Sequence, residues 1–164
     1  MKKLLLFSVI ALFGLSAFSQ EKAVSPHETA TGKNISVRYG RPYKKGRVIF
    51  GGLVPYDKVY RCGADSATLI TFDKDAVFGG KKVKAGTYTL FVVPKEKSWT
   101  IILNGQLGQW GAYSYDKYKD KDVLHVEVPV MHTADVVEQL TIRIPDNAVV
   151  IEWDQTQVSV PVKI

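Results

Sequence analysis

The amino-acid sequence predicts an all-β protein: one single-domain antiparallel β-sandwich, jelly-roll-like, of about ten short strands. Three observations carry that expectation. Apolar residues recur at every second position in run after run, while helical spacing is nearly absent. Turn-forming groups, among them Gly79-Gly80, Ala85-Gly86, Asn104-Gly105 and Pro145-Asp146-Asn147, separate the runs. One run, Leu90-Phe91-Val92-Val93, is apolar on both faces, as a central strand covered on both sides requires.

In chain order, residues 1–19 combine Lys2 and Lys3 with an uncharged, mostly apolar run from Leu4 and a small-residue end. That is the pattern of a cleaved secretory signal. The run is short for the roughly twenty residues that cross a bilayer, and no second one follows. The protein is therefore expected to be exported, periplasmic or secreted, with no membrane span once the signal is cleaved. Residues 20–33 are polar and read as an entry segment; residues 34–164 read as the sandwich.

Strands are expected at 34–39, where Ile35, Val37 and Tyr39 share a face, and at 47–50, 58–62, 67–72, 76–78 and 87–93. Further alternations follow: Trp99, Ile101 and Leu103; Leu124, Val126 and Val128; Leu140, Ile142 and Ile144; Val149, Ile151 and Trp153; then Val158, Val160, Val162 and Ile164. Gly79-Gly80 and Asn104-Gly105 are the strongest hairpin signals, because both supply the positive φ angles of tight primed turns. Residues 113–122, YSYDKYKDKD, are the one stretch fit for a helical turn.

With hydrophobic residues at 46%, one domain can bury a core without staples. The single cysteine, Cys62, excludes an internal disulfide and is expected to be a small buried side chain. The formal charge of +6 includes Lys2 and Lys3 of the signal, and the other lysines are scattered. A dense basic stripe or a recognisable module is lacking, so no nucleic-acid partner is expected.

Residues 39–70 hold the densest mixture of glycine, proline and basic residues. It is not a phosphate loop: Gly46 is followed by Arg47 rather than by Lys and Ser or Thr, and no helix follows. Arg38, Arg41, Arg47 and Arg61 present rigid donor forks suited to carboxylate or phosphate. They could converge on one rim, or be consumed by Asp57, Asp65, Asp73 and Asp75. Arg41, before Pro42, is held extended. Tyr39, Tyr43, Tyr56, Tyr60, Trp110, Tyr113, Tyr115 and Tyr118, with Asn104, Gln109 or Asp116 nearby, could stack on and hydrogen-bond a sugar or peptide. They could equally cap the ends of the sandwich. His27, His125 and His132 show no metal-ligand spacing, and no GxSxG elbow is present. No metal and no cofactor are expected. The candidate ligand-binding set is Arg41, Arg47, Arg61, Asp65, Asn104, Trp110, Tyr113 and Tyr115, for a small polar or anionic ligand: a glycan, peptide or phosphoester. Two readings compete with it, a hydrolase using a carboxylate–histidine pair in the same cleft and a structural or interaction protein of the cell envelope.

The runs SVRYGRPYKKGRVIFGGLVPYDKVYRCGADSATLITF, KVKAGTYTLFVVP, SWTIILN and QWGAYSYD together resemble an exported bacterial family, domain-of-unknown-function family 2911. Arg41, Pro42, Gly46, Arg47, Phe50 and Gly51 match its first element, and Pro55, Arg61, Gly63, Ala64 and Thr68 its second. Gly86, Thr87, Tyr88 and Pro94 match its third; Trp110, Gly111, Tyr113 and Tyr115 match its aromatic loop. The family commonly has Thr and then Asn-Glu around the Gly-Ala step, where this chain has Cys62, Asp65 and Ser66. The resemblance implies an exported, mainly β protein, and implies no activity.

Overall fold

The computed structural model describes residues 25–164, so the signal expected over residues 1–19 lies outside the described residues. Nine strands form: β1 (His27–Gly32), β2 (Ile35–Gly40), β3 (Thr68–Phe72), β4 (Ala76–Phe78), β5 (Lys81–Val83), β6 (Gly86–Pro94), β7 (Ser98–Asn104), β8 (Asp122–Arg143) and β9 (Ala148–Lys163). A short helix α1 (Tyr115–Tyr118) and a 3-10 turn (Lys119–Lys121) lie between β7 and β8, inside the stretch where a helical turn was expected. The strands join in one antiparallel sheet, in the order β1-β2-β3-β6-β7-β8-β9-β4-β5. Among the described residues, no helix is long and apolar enough to cross a membrane.

The sheet curls over itself. Phe72 of β3 and Phe78 of β4 belong to strands far apart in the ladder, yet their rings meet edge-on with centroids 5.6 Å apart. The bend is built into the two longest strands. The first part of β8 pairs with β7 and the rest with β9, and the register slips between His132 and Val137 and again before Thr141. Asp154 of β9, opposite Val137, takes a left-handed φ of 56°. Bulges of this kind bend a strand without ending it. The four short strands expected in this region are therefore two long ones, and β8 serves both halves of the ladder.

Alternation decides which side chains enter the core. Leu124, Val126 and Val128 are buried while His125 and Glu127 face water. Strand β6 fulfils the two-faced expectation: Leu90 and Val92 join the main core, whereas Phe91 packs with Ile102, Ala67 and Tyr115 on the other side. The β4–β5 turn is the expected primed turn, with φ of 55° at Gly79 and 82° at Gly80.

Four local expectations differ from the structure. Residues 47–50 and 58–62 are not strands; each makes one isolated bridge, Phe50 to Val54 within the same crossing segment and Tyr60 to Val92 of β6. Pro42, Pro55 and Gly51-Gly52 interrupt any run long enough to pair. Residues 27–32, read as a polar entry segment, are the edge strand β1, held by an unbroken register with β2. An edge strand facing solvent needs no apolar alternation, so the sequence pattern does not show it. Asn104-Gly105 makes no hairpin: Asn104 is the buried last residue of β7, and β8 begins only at Asp122.

Candidate functional site

Residues 41–67 cross from β2 to β3 as turns, and what they position depends on distant partners. Arg41 is fully committed to the protein. Its Nε donates to the Leu140 carbonyl at 3.1 Å and its Nη2 to Thr141 Oγ1 at 2.9 Å, while Nη1 meets Glu28 Oε2 at 3.0 Å. Pro42 holds it extended for this task, tying β1 and β8 to the crossing segment.

Arg47 and Arg61 have a different fate. Arg47 donates from Nε to the Lys44 carbonyl at 2.9 Å and from Nη2 to the Tyr43 carbonyl, clasping its own turn. Beneath it, Lys44 Nζ meets Asp154 Oδ2 at 2.9 Å and donates to the Arg47 carbonyl at 2.6 Å. Arg61 lies with its guanidinium carbon 5.7 Å from the centre of the Tyr60 ring, a cation–π approach. Its Nε is buried without a partner. Among the described residues neither Arg47 nor Arg61 pairs with a carboxylate, so Asp57, Asp65, Asp73 and Asp75 do not consume them.

Both arginines line one cleft of about 500 Å³, together with Tyr43, Lys45, Asp65 and Trp153. The Trp153 indole Nε1 is a second buried donor without an acceptor. Tyr60, also in the lining, donates from its hydroxyl to the Gly63 carbonyl at 2.6 Å, and burial raises its phenol well above the ordinary range. Asp65 is the one carboxylate of the lining, and His27 Nε2 reaches its Oδ2 at 3.2 Å. Grooves of similar size, 450 Å³ beside the Pro145–Asn147 turn and 580 Å³ along β5, are lined by no arginine.

The aromatic loop stands apart from this cleft. Trp110 and Tyr113 are exposed by 63% and 84% and line none of it. The loop is joined to the cleft's rim by backbone: the Gly111 N–H donates to the Asp65 carbonyl at 3.0 Å, and Ser66 bridges Trp110. Asn104 and Tyr115 are buried and committed internally. Asn104 Nδ2 donates to the Tyr118 carbonyl and to Asp122 Oδ1, both at 2.7 Å. The Tyr115 hydroxyl donates to Asp122 Oδ2 at 2.5 Å, and its ring meets Phe91 at 5.2 Å. These two residues hold the β7–β8 connection folded and face no open cleft.

Of the eight residues singled out in the sequence, the structure thus brings Arg47, Arg61 and Asp65 into one cleft. It sets Trp110 and Tyr113 beside the rim and places Arg41, Asn104 and Tyr115 in structural bonds. Lys45, Trp153 and His27 join only through the fold; the His27–Asp65 pair spans 38 positions of chain, and no local pattern announces it. No group of three or more metal-ligating side chains forms among the described residues.

A family model described as Protein of unknown function (DUF2911) matches residues 19–162. No curated protein and no solved structure matches the chain.

Proposed function

The chain belongs to this family, whose description names no activity, and we propose from the geometry of its cleft that it binds a small anionic ligand, a phosphoester or carboxylate. One observation carries the reading: two buried donors without acceptors, Arg61 Nε and Trp153 Nε1, belong to residues lining the same cleft. A buried donor left unpaired costs about 1–3 kcal/mol. An anion that accepts from it recovers that cost, and Lys45 and Arg47 add positive charge at the rim. The signal-like pattern of residues 1–19 supports an exported, periplasmic or secreted place of action. Cell fractionation tests it, with cytoplasmic retention as the contrary result.

Isothermal titration with inorganic phosphate and phenyl phosphate tests the binding, with benzyl alcohol as the neutral control. Phenyl phosphate should bind and benzyl alcohol should not. Arg61→Met, which keeps the aliphatic stem, should weaken binding about tenfold or more, the worth of a charge-assisted hydrogen bond. Equal affinity in that variant would sink the proposal.

Hydrolysis of such an ester is a second reading, favoured by the His27–Asp65 pair at 3.2 Å on the cleft's edge. Water would add to phosphorus as the ester P–O bond breaks, His27 taking the water's proton while the leaving oxygen departs as an alkoxide or phenolate that takes up a proton from solvent. Release of p-nitrophenol from p-nitrophenyl phosphate, abolished in His27→Ala, is the expected sign; no release above buffer ends this reading.

A further inference from the structure

A second, smaller hollow of about 180 Å³ lies beside the cleft, lined by His27, Arg38, Ser66, Leu69 and Gln109 among others. Its chemistry is the inverse of its neighbour's. Gln109 is only 6% exposed, and its Oε1 is a buried acceptor without a donor. The orientation of that amide is fixed, because Nε2 donates to the Gln106 carbonyl at 3.0 Å and to Asn104 Oδ1 at 3.3 Å. The oxygen must be the free end. Arg38 and Ser66, both exposed, make no side-chain hydrogen bond among the described residues. Gln109 thus brings one buried acceptor without a donor to a hollow whose lining also holds the Arg38 guanidinium, the Ser66 hydroxyl and His27, the last already paired with Asp65.

That combination selects a ligand class. A phosphate or carboxylate would satisfy Arg38 and leave Gln109 Oε1 unpaired against a second acceptor. An ammonium would satisfy Gln109 and oppose Arg38. Neighbouring hydroxyl groups do both, since each donates and accepts. At about 30 Å³ per liquid water, the hollow has room for one small ring and not for an extended chain.

The aromatic loop supplies the remaining part. Ser66 and Trp110 are directly opposed in an antiparallel bridge, so their side chains stand side by side on one face. The exposed indole is thereby set next to the hollow that Ser66 lines. In the same loop Gly111, at φ 62°, leaves room for the Tyr113 ring, since a Cβ there would come within 2.7 Å of Cε2. An exposed aromatic face beside a polar hollow is the arrangement that stacks on a sugar ring while hydrogen bonds fix its hydroxyls. We propose that the Gln109–Arg38–Ser66 hollow and the face of Trp110 form a binding subsite for one neutral sugar ring of a glycan, separate from the anion cleft.

Tryptophan fluorescence reads this directly, because Trp99 and Trp153 are buried and Trp110 is 63% exposed. Acrylamide should quench mainly Trp110. The probes are the methyl glycosides of glucose, galactose and mannose, and N-acetylglucosamine. At least one should protect Trp110, reducing the quenching slope toward that of the two buried indoles. Arg38→Ala and Ser66→Ala, both at exposed positions and so compatible with folding, should each weaken that protection about tenfold and leave phosphate affinity at Arg61 unchanged. The hollow holds only water if none of the four probes alters quenching, and this outcome overturns the proposal. Protection that survives both substitutions overturns it as well. Loss of phosphate binding in Arg61→Met leaves the sugar result untouched, so the two sites fail separately.

Discussion

Cys62 has no exposed surface and sits at a left-handed φ of 52°. Burial pushes its thiol from 9.0 up to about 12. The sign of the linkage follows: above about pH 9 the unfolded chain loses this proton and the folded chain keeps it, so stability falls as pH rises. Tyr60 and Tyr115, whose phenols are also raised chiefly by burial from 10.0, act in the same direction at higher pH. The urea midpoint should be level from pH 7 to 8 and lower at pH 10. The thiol accounts for roughly 1 kcal/mol of that loss, so Cys62→Ala should show a shallower fall; an identical fall would remove Cys62 from the account. Native protein should also react slowly with a maleimide and quickly in urea, and rapid native labelling would contradict the burial. The fate of Cys62 is legible in sequence because a lone cysteine is usually packed away. The fates of Arg41 and Arg61 are not. Both look like free cations beside turns, and contacts to Glu28, Leu140 and Thr141, the last two 99 and 100 positions away, consume Arg41.

Elements are legible where the hydrophobic pattern does the folding and obscure where backbone or polar contacts do it. Strands β2, β3, β4, β6 and β7 follow their alternation closely. Strand β1 has no buried stripe to reveal it, and the Asn104-Gly105 signal is overridden because Asn104 is recruited by Asp122 and Tyr118. The β4–β5 hairpin shows how far a correct turn reading goes. Both glycines need positive φ, but their surroundings differ: a Cβ on Gly80 meets open space, whereas one on Gly79 would stand 2.2 Å from Val126 Cγ1 of β8. Gly80→Ala should cost about 1 kcal/mol, the backbone term alone. Gly79→Ala adds overpacking against a neighbouring strand, about 1–3 kcal/mol more. Chemical denaturation of the two variants compares them, and equal losses would mean that the hairpin moves freely off β8.

At the scale of the whole molecule, the segment crossing from β2 to β3 contributes to the core of the curled sheet, through Ile49, Phe50 and Val54. Phe50 packs against β7 and β9, its ring 4.8 Å from Trp99 of β7 and 6.3 Å from Trp153 of β9, with Ile49 and Val54 buried in the same segment. The glycines and prolines that look like loop in the sequence thus carry apolar anchors between them, and the same segment carries Lys45, Arg47 and Arg61 to the cleft. Core and cleft share Trp153 as a wall. Removing the Phe50 ring should therefore do more than lower stability. Phe50→Ala should cost about 3 kcal/mol, the lower end for such a truncation because the ring is only partly buried. The loss should be uneven: amides of residues 41–66 should exchange hydrogen faster while the β6–β7 ladder stays protected, since that ladder keeps its own core contacts on both faces. Phosphate affinity should fall in step, because a loosened segment no longer holds Arg47 and Arg61 at the cleft. Uniform exchange across the sheet, with the cleft's affinity intact, would show that the segment is anchored by its hydrogen bonds and not by Phe50.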